Sequence, residues 1–113
     1  NKPSDFMVIS GDDNLTLPII AAGGWGVISV TANAFTKDYS QMVSLCLQGN
    51  FEAARPLHYK LTGITDLLFA DGNPGGVKAA LKMLNVCGDT VRLPLINVNE
   101  NVFAQLQLAI ANL

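Results

Sequence analysis

Ser10-Gly11-Asp12-Asp13 and Gly26-Val27-Ile28-Ser29-Val30-Thr31-Ala32-Asn33 decide how this chain folds. Each joins a short apolar run to glycine and polar residues. Phe6-Met7-Val8-Ile9, ahead of the first, is apolar without alternation, the pattern of a parallel strand covered on both faces. Val27-Ile28-Ser29-Val30 is a second β-rich run. Between them, roughly Leu15 to Ala22, the spacing predicts a short helix. Pro18 fits in its first turn, where a missing N–H costs nothing, and Asp13, Asn14 or Thr16 can cap it. Gly23, Gly24 and Gly26 stop that helix and turn the chain back. Strand, helix, strand within about 25 residues is a compact βαβ unit.

Two parallel strands alone leave two open edges and two apolar faces, and parallel sheets occur almost only as larger covered sheets or barrels. The unit therefore needs further strands, from upstream of Asn1 or from another chain. After Asn33 the pattern is helical. Thr36 can cap a helix to about Gln48, with Tyr39, Met42, Val43, Cys46 and Leu47 on one face. Gly49-Asn50 pairs a helix end with the next N-cap. A longer helix, about Phe51 to Phe69, turns Ala54, Leu57, Leu61, Ile64 and Leu68 inward. Asp71-Gly72-Asn73-Pro74 is a turn. The next helix, about Gly75 to Leu84, buries Val77, Ala80, Leu81 and Leu84. An extended stretch with Leu93-Pro94-Leu95 leads to a last helix near Glu100 to Ala111.

Composition excludes several classes. Half of the 113 residues are apolar and 14% are charged, which argues against disorder. A net charge of −2 with no basic stripe argues against a nucleic-acid partner. No stretch is long enough to span a membrane and no basic-then-apolar leader opens the sequence, which fits a cytoplasmic protein. Cys46 and Cys87 lack CxxC spacing and read as buried thiols in a reducing compartment. One histidine, His58, and two distant cysteines make no zinc set, so no metal is expected.

The order of elements resembles the end of a (β/α)8 barrel followed by a helical extension. The likeness runs from about Asp5 to Leu95 and rests on Ser10 to Asp13, on Gly26 to Asn33, and on Asn73-Pro74 followed by Val77-Lys78. These motifs resemble the pyruvate-dependent lysine-Schiff-base lyases, and most of all the dihydrodipicolinate synthase family. The resemblance implies an α/β fold, the C-terminal part of a TIM barrel: residues 1–49 as the last two βα units, and 50–113 as a helical extension. A full barrel needs about 250 residues. It implies an enzyme that condenses pyruvate with L-aspartate 4-semialdehyde on the way to diaminopimelate and lysine, with no cofactor. The partners it implies are those two substrates, the remaining N-terminal part of the barrel, and further copies in a homotetramer.

In that family a lysine on the sixth strand forms the Schiff base and a tyrosine on the fifth relays protons. Both positions fall before Asn1, so the resemblance puts no catalytic residue in this chain. It makes Gly11 the residue whose missing side chain leaves room for pyruvate, and Ile28 the contact to the pyruvate moiety. Asp12 and Asp13 stand at the mouth of the site. Sister aldolases acting on sialic acid or 2-keto-3-deoxy sugar acids are the nearest alternative. Sialic acid lyases tend to read Ser-Thr-Tyr-Asn where this chain has Ser29-Val30-Thr31-Ala32-Asn33. A non-catalytic helical binding protein with a small βαβ cap is the alternative from another class.

Blander readings compete at several positions. Asp12-Asp13 can form a metal-binding or acid/base pair, but helix capping and dipole complementation are preferred, and adjacent residues point apart, which weakens a shared-proton pair. Gly23-Gly24-Trp25-Gly26 precedes a strand, whereas phosphate cradles precede a helix. His58 reads as a surface or interface residue, Trp25 and Phe35 as core packing, and Lys78 as a structural lysine pairing with a carbonyl or carboxylate. The lysines are Lys2, Lys37, Lys60, Lys78 and Lys82. None sits where desolvation or neighbouring positive charge would make it a nucleophile.

Overall fold

A computed structural model describes residues 2–113. Strand β1 (Ile9–Ser10) pairs in parallel with β2 (Gly26–Val27), in the register Ile9 to Gly26 and Ser10 to Val27. Two flanking bonds lengthen the ladder: the Trp25 N–H donates to Val8 O at 2.8 Å and the Ile28 N–H to Ser10 O at 2.9 Å. The strands are shorter than the apolar runs that announced them. Backbone groups join a ladder only where a neighbour offers partners, and each strand here has a neighbour on one side only among the described residues. The expected two-sided cover is also missing: Phe6 is 59% exposed, Met7 58%, Ile9 50% and Ile28 79%.

Helix α1 (Thr16–Ala21) crosses between the strands, with Pro18 in its first turn. Its cap differs from the expectation. Asp12 Oδ1 accepts the Leu15 N–H at 3.1 Å, while Asp13, Asn14 and Thr16 look elsewhere. Gly23, at φ +100°, reverses the chain after α1, a conformation that suits glycine.

A 3₁₀ turn (Thr31–Asn33) follows β2, then α2 (Thr36–Leu47), α3 (Phe51–Phe69), α4 (Gly75–Met83) and α5 (Glu100–Ala111). Thr36 is the first residue of α2 rather than its cap, because its hydroxyl donates back to Ala32 O at 2.6 Å. Asn50 caps α3 as expected, accepting the Ala53 N–H at 3.2 Å. Asn99 caps α5 through the Val102 N–H at 2.9 Å. Asp71 Oδ2 holds that cap from the turn before α4, accepting from Asn99 N and Nδ2 at 2.7 and 2.8 Å.

The core lies where α2 and α3 pack together and α1, α4 and α5 close over them. Tyr39, Met42 and Cys46 meet Ala54, Leu61, Ile64 and Leu68, with Ile20, Ala79, Ala80 and Leu106 around them. On α4 the expected inward face is partly wrong: Leu81 is half-buried and Leu84 exposed, whereas Gly76 and Ala79 are buried. The reason is close approach. A Cβ on Gly76 would lie 2.1 Å from Leu68 O, so the α4 backbone rests directly on α3 and Leu81 and Leu84 are left at the rim, while Val77 is buried as expected.

Candidate active-site mouth

Both strands end on the same side, and the residues there are held by short-range chemistry. Buried Ser10 donates its hydroxyl to Asp12 O at 2.7 Å and accepts the Asp12 N–H at 3.1 Å, a local turn that throws Gly11 outward. A Cβ on Gly11 would meet nothing within 4 Å. Ile28 leaves the end of β2 bonded to Ser10 O, so the structure brings Gly11 and Ile28 to adjacent strand ends.

Asp12 and Asp13 separate. Asp12 is exposed and spends Oδ1 on the start of α1. Asp13 is buried, with Oδ2 accepting the Val30 N–H at 3.0 Å and the Thr31 N–H at 3.2 Å. It therefore caps the 3₁₀ turn after β2 rather than the helix next to it in sequence. Capping is the role of both, as expected, but on two different elements, and no shared-proton pair is formed.

A buried polar knot backs this loop. The Tyr39 hydroxyl donates to Asp13 O at 3.1 Å and lies 2.8 Å from Thr16 Oγ1. Thr31 Oγ1 and Thr65 Oγ1 are 2.9 Å apart. Burial pushes the Tyr39 phenol well above its ordinary value, so it stays a protonated donor. In front of the loop is a cavity of about 350 Å³ lined by Gly11, Asp12, Asp13, Asn14, Asp66 and Phe69, among others. Asn14 Nδ2 donates to Asp66 Oδ1 at 2.7 Å across it. Sequence reasoning missed Asp66, Phe69 and Thr65: they sit on α3, far along the chain, and only helix packing brings them here.

Several single residues stand differently from expectation. Trp25 is 59% exposed rather than packed, whereas Phe35 does pack against the core. Cys46 is buried, and burial raises its thiol pKa. Cys87 is exposed, 4.0 Å from Lys78 Nζ, so the expectation of two buried thiols fails for it. Lys78 accordingly reaches a sulfur, not a carbonyl or carboxylate. Lys60 pairs with Asp38 at 2.7 Å and Lys82 with Asp89 at 2.8 Å. His58 is half-buried on α3, and burial lowers its pKa. Among the described residues no group of three or more His, Cys, Asp or Glu is placed to hold a metal ion. No described helix is long and apolar enough to cross a membrane.

This geometry defines an α/β unit whose polar mouth lies at the carboxyl ends of parallel strands, backed by a helical layer. The whole chain, residues 1–113, matches the model of the dihydrodipicolinate synthetase family, and the chain belongs to that family. The 4-hydroxy-tetrahydrodipicolinate synthase of Flavobacterium psychrophilum is 53% identical over 107 residues, 95% of this chain and 36% of the relative. A crystal structure of dihydrodipicolinate synthase from Aquifex aeolicus superposes with a TM-score of 0.93 at 37% identity, over 97% of this chain and 38% of that one. The Acinetobacter baumannii enzyme, crystallised in complex with pyruvate, gives 0.90 at 31% identity over 95% and 37%. The chain thus spans little more than a third of the length of these relatives.

Proposed function

We propose that this chain is the closing part of a (β/α)8-barrel lyase that condenses pyruvate, held as a lysine Schiff base, with L-aspartate 4-semialdehyde. The observation that carries the reading is the open face of the strand pair. Phe6, Met7, Ile9 and Ile28 present apolar surface that further parallel strands would cover. Residues 1–49 then supply the seventh and eighth strands with their helices, and 50–113 the helical extension. Gly11 and Ile28 bound the pyruvate pocket, and Asp12 and Asp13 form its rim.

The Schiff-base lysine belongs to the upstream part of the barrel. The five lysines of this chain support that assignment: Lys37, Lys60 and Lys82 are exposed on helices, Lys78 is half-buried beside Cys87, and Lys2 is exposed ahead of β1. None is desolvated as a nucleophilic amine must be. The active form is an oligomer in the cytoplasm, assembled mainly through parts of the barrel outside this chain.

Incubation with pyruvate and borohydride, followed by intact mass measurement, tests this. The 113-residue chain is expected to carry no adduct. A polypeptide that also holds the upstream strands is expected to gain one reduced pyruvate. An adduct on any of the five lysines here, or none on the completed barrel, overturns the reading.

A further inference from the structure

The two loops that follow the strands are far apart in sequence, yet one carboxylate ties them together. Asp13 stands in the loop after β1, and its Oδ2 receives both the Val30 and Thr31 N–H groups from the loop after β2. These are the first free donors of the 3₁₀ turn, whose next donor, the Ala32 N–H, is taken locally by Ser29 Oγ at 2.8 Å. Burial makes the bonds costly to lose, since two backbone donors would be left in a dry site. Val30 lies two residues beyond Ile28, whose side chain is 79% exposed in this chain. The Ile28 backbone is fixed on one side by its bond to Ser10 O, and the segment beyond it is held by this carboxylate at Val30 and Thr31 and by the local Ser29 bond to the Ala32 N–H.

We infer that Asp13 is a positioning residue: through the Val30 and Thr31 amides it sets where Ile28 stands relative to Gly11, and so sets the fit of the keto acid between them. The last step rests on the function proposed above; the clamp itself does not. Tyr39 and Thr16 brace the backbone of Asp13 from behind, through its carbonyl and that of Asp12. They support the loop but make no contact with the Val30–Thr31 amides.

The clamp needs an acceptor, not a charge. Asp13→Asn keeps an oxygen where Oδ2 stands, with its NH2 in the buried, unpartnered Oδ1 position, whereas Asp13→Ala removes the acceptor. Amide hydrogen exchange on the 113-residue chain reads the clamp directly. Val30 and Thr31 are expected to be protected in the wild type and in Asp13→Asn, and to exchange much faster in Asp13→Ala, with Ile28 following. In the completed barrel, Asp13→Ala is expected to raise the KM for pyruvate on the order of tenfold, with the KM for the aldehyde unchanged. Asp13→Asn should recover most of that loss in the pyruvate KM, its NH2 at the unpartnered Oδ1 position costing the remainder. Gly76→Ala, at the α3–α4 contact away from both loops, is the structural control, lowering Tm without moving that KM.

Unchanged exchange at Val30, Thr31 and Ile28 in Asp13→Ala overturns the clamp. Faster exchange with an unaltered pyruvate KM, or an Asp13→Asn variant as impaired as Asp13→Ala, overturns the positioning role. A completed wild-type barrel that traps no pyruvate refutes the proposed function instead, while the exchange data still decide the clamp.

Discussion

Gly76→Ala should destabilise the protein, although alanine is the better helix former. A Cβ at that position would lie 2.1 Å from Leu68 O, 2.6 Å from its carbonyl carbon and 2.7 Å from its Cα. The obstacle is backbone, so no rotamer change relieves it, and α4 must withdraw from α3 by more than about 1 Å. Leu68 and Ala80 are fully buried beside the contact, so withdrawal also opens voids in the core. Forced overpacking costs about 1–3 kcal/mol, and a backbone obstacle belongs at the upper end. Helix propensity returns about 1 kcal/mol, leaving a net loss of about 2 kcal/mol. Gly63→Ala isolates the propensity term. Gly63 lies within α3, where a Cβ would meet nothing within 4 Å, so a gain of about 0.5–1 kcal/mol is expected. Urea denaturation followed by far-ultraviolet circular dichroism compares the two. A midpoint for Gly76→Ala at or above wild type, alongside a stabilised Gly63→Ala, would refute the close-packing account of the α3–α4 contact.

Three further outcomes follow from single sites. Burial holds the His58 pKa below its ordinary 6.5, so the unfolded chain takes the proton more readily. Its contribution to stability is complete above that value and is lost as pH falls through it toward the folded pKa. His58→Gln should flatten that part of a stability–pH curve, and an unchanged slope would remove His58 as its cause. Cys87 should react with a thiol reagent in the native state while Cys46 reacts only on unfolding, which peptide mass mapping distinguishes. Asp12→Ala, which strips the cap from the Leu15 N–H, should cost about 1 kcal/mol in denaturant stability. A neutral result would mean that water serves that N–H equally well.

The helical part was legible because its signals are local. The periodicity from Phe51 to Phe69 and the cap Asn50 act within one turn of chain, and tertiary packing reinforces them. The α4 face was misread for the opposite reason. A hydrophobic pattern weights Leu81 and Leu84, whereas the contact surface is chosen by Gly76 and Ala79, whose value lies in having almost no side chain. Asp13 shows the same limit at the site. Its neighbours in sequence suggest a cap for α1, but Asp12 has already supplied it, and the remaining carboxylate finds its donors at Val30 and Thr31. No window around Asp13 contains that information.

The strand pair makes the physical argument from the other direction. Phe6-Met7-Val8-Ile9 carries the composition of a doubly covered strand, yet only Ile9 of these four residues joins the ladder as strand, and all four are exposed. Sequence and structure conflict here because composition records every surface a strand must meet, while the chain provides only some of them. A charge on that face separates the two. Ile9→Lys should leave the stability of the 113-residue chain within about 0.5 kcal/mol, since the side chain is already half in water. In a completed barrel the same lysine would be buried without a partner and should cost several kcal/mol, abolishing assembly. Equal tolerance in both settings would mean that nothing covers the face, and the barrel reading would lose the observation on which it stands.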